Sequence, residues 1–321
     1  MITSTRLATA TALFLAASVA AAQSYPSRSV RMVVHFPPGG PTDLVGRALG
    51  QRLSEYWKQP VVIENRPGAG GVLGVETVLR APADGHTLLF GTSGSLALAP
   101  ALQKLPYNVF TDLAPITLAV INPQILVVHP SLPVKSVQDL IRLAKSRPGQ
   151  INYASVGPGS PNHMGMELLK SMTGIDMVHI PYKGTAPAMA DVIAGQVSLL
   201  FNSMPAVLPH VQSGRLRGIA VGSAKRSPAA PDIPTVAESG VPGFQYTTWY
   251  ALLAPAATPK EVIARINADS VKALSQPDMV QSLASQGAEP APTSPEGLAK
   301  FMREEFEAWR KVIKAAGIRL E

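Results

Sequence analysis

The sequence predicts an α/β protein of two domains, each a mostly parallel sheet flanked by helices. Three observations carry that expectation. Apolar, strand-like runs alternate with stretches of helical spacing along most of the chain, the pattern of parallel sheets with crossover helices. The 321 residues exceed what one ordinary core holds. The 30 prolines and 26 glycines fall mostly between these elements, as in a loop-rich α/β chain and unlike a disordered one.

Taken in order, Val30 to Val34 is a nearly continuous apolar run, as a strand buried on both faces would be. A turn with Gly39 and Gly40 follows, and these two glycines let the backbone approach a guest closely. Pro41 suits a first helical position, and Val45, Leu49, Leu53 and Tyr56 continue at helical spacing. The N–H groups of Thr42, Asp43 and Leu44 are expected to point out of this helix start unpaired, where they and the macrodipole would attract an anion. Asp43 at the third helical position is expected to reach back to donors at the cap. As a brace of this kind it could also accept a proton from a ligand N–H. Val61 to Glu64 reads as a strand, Asn65 to Gly71 as its turn, and Val72, Val75 and Leu79 as a helix face. Thr87 to Phe90 is the next strand, closed by a turn over 91–95. Two apolar runs, Ile116 to Ile121 and Ile125 to Val128, flank Asn122-Pro123 and mark a crossing between domains.

The second region repeats the theme. Ser136 and Asp139 form a capping box for a helix over 137–146. Strands are expected at 151–155, 177–180, 197–201 and 216–221. The turns 156–163, 182–185 and 202–205 lead into helices over 162–172, over 186–194 and up to Gly214. A Pro-rich stretch over 227–244 then leads to a run, 246–254, that returns the chain to the first domain. Thr258 with Pro259 and Ser294 with Pro295 start two C-terminal helices. The expected domains are 23–122 with 246–321, and 123–245.

Residues 1–22 read as a cleaved export signal. Arg6 is followed by an apolar run too short to span a bilayer and then by Ala20-Ala-Ala22. The chain has no cysteine, which excludes disulfides and Cys-based metal or redox chemistry, and leaves no site for a lipid after the signal. Export without cysteines suits a bacterial periplasm, and the mature protein is expected to be soluble there. The net charge of +7 comes from scattered Lys and Arg with few aromatics among them, so nucleic acid is not an expected partner.

Six turns stand at expected strand ends, the edge where open α/β sheets bind ligands: 36–43, 65–71, 91–95, 156–163, 182–185 and 202–205. They are rich in Gly, Ser, Thr and Asn, and few charges beyond Asp43, Arg66 and Lys183 occur in them. Such turns would hold an anion by backbone N–H groups, hydroxyls and water. Catalytic and metal motifs are missing. Gly68-Ala-Gly-Gly-Val-Leu-Gly74 places its third Gly one residue late for a dinucleotide fingerprint, and there is no P-loop and no nucleophile elbow. His163 and Glu167, one helical turn apart, read as a cap or solvent contact and not as metal ligands. His35, His129 and His179 read as core or rim residues, Trp249 and Tyr250 as core, and Met164, Met166, Met172 and Met177 as packing residues. No metal and no cofactor is expected.

The motifs Phe36-Pro-Pro-Gly-Gly-Pro-Thr-Asp43, Glu64-Asn-Arg-Pro-Gly-Ala-Gly-Gly71, Pro181-Tyr-Lys-Gly-Thr185 and Leu208-Pro-His-Val-Gln-Ser-Gly-Arg215 resemble those of the Bug family. These are TctC-like periplasmic substrate-binding proteins of tripartite tricarboxylate transporters, best represented in Bordetella-like bacteria. The resemblance runs in order through residues 24–321. It implies a type II periplasmic binding-protein fold with a small carboxylate in the interdomain cleft, pinched between two loops. One loop would contribute Phe36, Gly39, Gly40, Thr42 and Asp43, and the other Gly157, Ser160, Asn162 and His163. Outer contacts are implied at Ser93, Ser95, Lys183, Gly184, Asn202 and Ser203. Asn202 departs from the Asp often expected there, which bears on ligands with an amino group. The resemblance leaves the ligand among dicarboxylates, tricarboxylates, acidic amino acids and aromatic acids.

The expected function is therefore a monomeric, hinge-closing receptor that delivers a carboxylate to transporter membrane subunits and is not an enzyme. The alternatives are a ligand-sensing partner of a two-component sensor kinase and an exported hydrolase on the same fold.

Overall fold

The computed structural model of the chain describes residues 25–285 and 287–318. The expected export signal over 1–22 lies outside the described residues. The strands are β1 (Val30–Val34), β2 (Val61–Asn65), β3 (Thr87–Thr92), β4 (Leu113–Val128), β5 (Asn152–Ser155), β6 (Val178–Pro181), β7 (Leu199–Ser203), β8 (Arg217–Val221), β9 (Thr247–Pro255) and β10 (Glu289–Pro290). The helices are α1 (Pro41–Trp57), α2 (Val72–Leu79), α3 (Ala99–Leu102), α4 (Val137–Ser146), α5 (Pro161–Thr173), α6 (Thr185–Ile193), α7 (Met204–Gln212), α8 (Lys260–Leu274), α9 (Pro277–Ser285) and α10 (Pro295–Ala316).

The strands run in the order β2-β1-β3-β9-β4-β7-β5-β6, with β8 and β10 also paired to β4. The strands joined by crossover helices pair in parallel: β1 with β2 and β3, and β5 with β6 and β7. The two long central strands run antiparallel to their neighbours. β4 divides its length between two lobes. Leu113–Pro123 pairs with β9, and Gln124–Val128 pairs with β7 and β8.

Side-chain alternation along the strands builds the core. Val30, Met32 and Val34 face α1 and α8 in one apolar layer, while Val33 joins the layer on the opposite face. In β4, Leu126 and Val128 enter that second layer, and Ile125 and Val127 pack with Met189, Val192 and Val207 of the second lobe. Helix α10 packs against β4, α3 and α5, and Trp309 meets Tyr246 edge-on at 6.2 Å.

Several expectations need correction. The segment 116–128 is one strand, because β4 changes partner at Pro123 without breaking. Pro123 lacks a donor and sits where the β9 ladder ends. Gly91 and Thr92 belong to β3, and 94–98 is a π-helical turn, because Leu96 and Leu98 are drawn into the core. Asn202 and Ser203 end strand β7 and are not in a turn. Pro259, not Thr258, occupies the cap of α8. Met164, Met166 and Met177 are packing residues as expected, but Met172, in the last turn of α5, is exposed.

Candidate ligand-binding cleft

One cleft of about 870 Å³ lies where the carboxyl ends of β1, β3, β5 and β7 face each other. Its wall combines Phe36 to Thr42, Thr92 to Ser95, Val156 and Pro158 to Asn162, Asn202 and Ser203 with Gln124, Thr248 and Tyr250 from the crossing strands. Among its described residues there is no Asp, Glu, Lys, Arg or His.

The first loop follows β1. Gly40 is the N-cap of α1 with extended backbone, and Pro41 takes the first helical position. Leu44 N–H turns back to the Gly40 carbonyl at 3.0 Å, contrary to expectation, so the donors at this start are Thr42 and Asp43. Gly39 has φ +82, a left-handed conformation that favours glycine. Its N–H donates to Asp43 Oδ2 at 2.9 Å. Arg47 Nε donates to the same oxygen at 2.8 Å, and Asn65 Nδ2 donates to Oδ1 at 2.9 Å. Burial alone would raise the Asp43 carboxyl, but these three donors together hold it below the ordinary carboxylate range. Asp43 is thus a buried brace behind the loop and not part of the cleft wall. Below the loop, His35 Nε2 lies 3.3 Å from Thr92 Oγ1, and burial pushes its pKa down to about 4. Gly71 and Gly74, in the segment that invites a dinucleotide reading, leave room for His35, since a Cβ at Gly71 would collide with its ring and one at Gly74 with its Cβ and backbone.

The second loop follows β5. Gly157 has φ +125, again a conformation L side chains rarely adopt. Ser160 is the N-cap of α5. Its Oγ accepts from His163 N–H at 3.4 Å and donates to the Gly157 carbonyl at 2.6 Å. Asn162 Nδ2 donates to the Phe201 carbonyl at 2.6 Å and to Asn202 Oδ1 at 3.2 Å. Asn202 Oδ1 also accepts from Ser203 N–H at 2.8 Å, which leaves Asn202 Nδ2 as a buried donor without a partner among the described residues. Across the cleft, Ser95 Oγ closes the π-turn by donating to the Thr92 carbonyl at 3.1 Å. Gln124 Nε2 donates to the Asn122 carbonyl at 3.1 Å and to Thr248 Oγ1 at 3.0 Å.

Phe36, Gly39, Gly40, Thr42, Ser93, Ser95, Ser160, Asn162, Asn202 and Ser203 all stand in the wall. Gly157 and His163 lie behind it, shaping the second loop. Lys183 is exposed and outside the wall, and Gly184 caps α6, whose first residue Thr185 lines the cleft. The residues that sequence reasoning missed are Gln124, Thr248 and Tyr250. They sit on the crossing strands, where no Gly-rich turn marks them. The signal available was topological, since strands joining two lobes must border the cleft between them.

Helices α1, α5, α6 and α7 all begin at this wall, and their positive ends favour an anion by about 0.3–1 kcal/mol each. Phe36, Pro37, Leu102, Val156 and Tyr250 supply apolar surface to the same wall. No group of three or more His, Asp or Glu among the described residues could hold a metal ion.

Two sheet lobes joined by crossing strands, with loops from both lining one cleft, define a two-domain solute-binding protein. The sequence places it more closely. The family model of the tripartite tricarboxylate transporter family receptor matches residues 45–318, and the chain belongs to this family of periplasmic binding proteins. Protein BugT of Bordetella pertussis is 39% identical over 99% of both chains. Among solved structures, Rpa4515 of R. palustris with adipate is 38% identical at a TM-score of 0.81, covering 92% of this chain and 99% of its own. MatC of Rhodopseudomonas palustris with bound malate is 34% identical at a TM-score of 0.76, covering 90% and 100%.

Proposed function

We propose that this chain is a periplasmic receptor that captures a small carboxylate in the cleft by hinge closure and delivers it to the membrane subunits of a tripartite tricarboxylate-type transporter. The observation that carries this reading is the wall itself. It meets an anion with helix starts, amides and hydroxyls, and with no charged side chain among its described residues. Two similar proteins hold adipate and malate, both small carboxylates, which supports an anion of this kind in a wall that combines donors with apolar surface. Its task is binding and not turnover. No helix among the described residues is long and apolar enough to cross a membrane.

The lobes proposed to close are 23–122 with 246–321, and 123–245. The crossings near Asn122–Gln124 and Tyr246–Thr247 would absorb the backbone change. A ligand that touches both loops binds the closed form better than the open one, which is the differential affinity a conformational shift requires.

A panel of mono-, di- and tricarboxylates, added with a chelator present, is expected to raise the melting temperature. A ligand at 100 times its Kd stabilises the native state by about 2.7 kcal/mol. For a chain of this size that is roughly 4 °C. A shift produced only by metal ions, or only by amines without a carboxyl group, would contradict the reading.

A further inference from the structure

Behind the second loop lies a partly buried cluster of titratable side chains that is not part of the cleft wall. His163 stands in the first turn of α5 and His179 in β6, and their rings stack with centroids 4.1 Å apart. Tyr153 of β5 lies against both, at 6.3 and 5.1 Å. Each imidazole is tied to the loop. His163 Nδ1 accepts the Gly159 N–H at 3.0 Å, which only an unprotonated Nδ1 can do. His179 Nε2 lies 2.5 Å from Ser155 Oγ, and that oxygen accepts the Gly157 N–H at 3.0 Å.

Resting on the carboxylate site proposed above, we propose that His163 is the positioning residue of the second loop and makes ligand capture proton-sensitive. Its neutral Nδ1 holds Gly159 in the turn that presents Ser160, and a proton at that atom sets two donors against each other and opens the turn. The titratable and charged groups facing the pair are Tyr153 from β5 and Glu167 and Lys170 from α5. Glu167 would welcome charge on His163, since its Oε1 lies 3.9 Å from His163 Nε2. That oxygen is already held by Tyr153 Oη at 2.6 Å and Lys170 Nζ at 2.7 Å. The second imidazole, 4.1 Å away, also opposes a charge.

The direction follows from linkage. Burial holds His163 below its ordinary value, with Lys170 adding to this and Glu167 opposing it. Burial, then the His163 neighbour, pushes His179 down to about 4. The braced loop therefore binds fewer protons than an opened one. The brace is fully present above the ordinary imidazole pKa of about 6.5 and weakens as the pH falls below it and through the lowered pKa of the buried His163.

The test follows the imidazole nitrogens and the Gly159 amide of the ligand-free protein by NMR from pH 8 to pH 5. The expected result is that the Gly159 resonance moves with the His163 titration and that its protection factor falls about tenfold. In His163→Asn, whose Oδ1 takes the acceptor position without titrating, the amide should not respond. With adipate as the probe, affinity should weaken about fivefold more in the unaltered protein than in His163→Asn over the same range, the ionisation of the acid being common to both. A Gly159 amide that ignores the His163 titration, or a His163→Asn protein with an unchanged pH response, would overturn the proposal. If no carboxylate binds at pH 8 while the Gly159 response is intact, the carboxylate site fails and the brace stands.

Discussion

Gly40→Val is expected to give a folded protein that binds its carboxylate at least about tenfold more weakly. Gly40 caps α1 with φ −79 and ψ 167, a conformation any L residue adopts. The nearest atom to an added Cβ is the Pro37 carbonyl oxygen at 3.7 Å, an ordinary contact. The cost to folding is that of a poor cap residue, about 1 kcal/mol. The cost to binding is larger. A carboxylate oxygen must come within about 2.9 Å of the Thr42 and Asp43 N–H groups, and a branched side chain at the cap crowds that approach. Losing one charge-assisted hydrogen bond costs about 1.5–3 kcal/mol, which is roughly 10- to 100-fold in Kd. Calorimetric titration beside a melting curve separates the two effects. An unchanged Kd in a folded variant would remove the start of α1 from the site.

Gly222→Val is expected to act on stability, at the point where the returning chain is fastened to β4. Gly222 N–H donates to the Gln124 carbonyl at 2.7 Å, and its own carbonyl accepts from Tyr246 N–H at 2.7 Å. A Cβ on Gly222 would collide with the Tyr246 carbonyl oxygen and crowd the Phe201 ring at 3.3 Å. The first of these neighbours is backbone within a hydrogen-bonded crossing and cannot rotate aside. Overpacking of this kind costs about 1–3 kcal/mol, and the upper end applies here. The melting temperature should fall by roughly 4–5 °C. A variant melting within about 2 °C of the parent would show that the crossing yields easily.

Much of the frame was legible because local chemistry and tertiary role agree. β1 is apolar apart from the half-buried Arg31 because both faces are covered, and Ser136 and Ser294 cap the helices they precede. The first loop of the cleft was legible for the same reason, since Gly39, Gly40 and Pro41 carry their backbone preferences in their identity. Where residues act through the fold, the sequence was mute. Gly94 to Leu98 looks like a turn until Leu96 packs over Gly91, where any Cβ would collide with it. Asn122-Pro123 looks like a break until β4 is seen to exchange one partner for another there. Gln124, Thr248 and Tyr250 carry no local mark, and Tyr250 both fills the core and faces the cleft. Lys183 is the converse case. A lone cation in a Gly-containing turn suggests an anion contact, and its exposed side chain stands outside the wall lined by Thr185 two residues on.

The central claim is that two lobes close on one carboxylate. The first loop belongs to β1 and the second to β5, in sheet regions that meet only through β4 and β9, and both loops line the same cleft. Small-angle X-ray scattering tests this most directly, with the protein measured free and saturated with the acid that raises its melting temperature most. The account predicts a smaller radius of gyration in the saturated protein, and in Gly40→Val the same decrease only at correspondingly higher acid concentration. An unchanged radius of gyration at demonstrated saturation would contradict it.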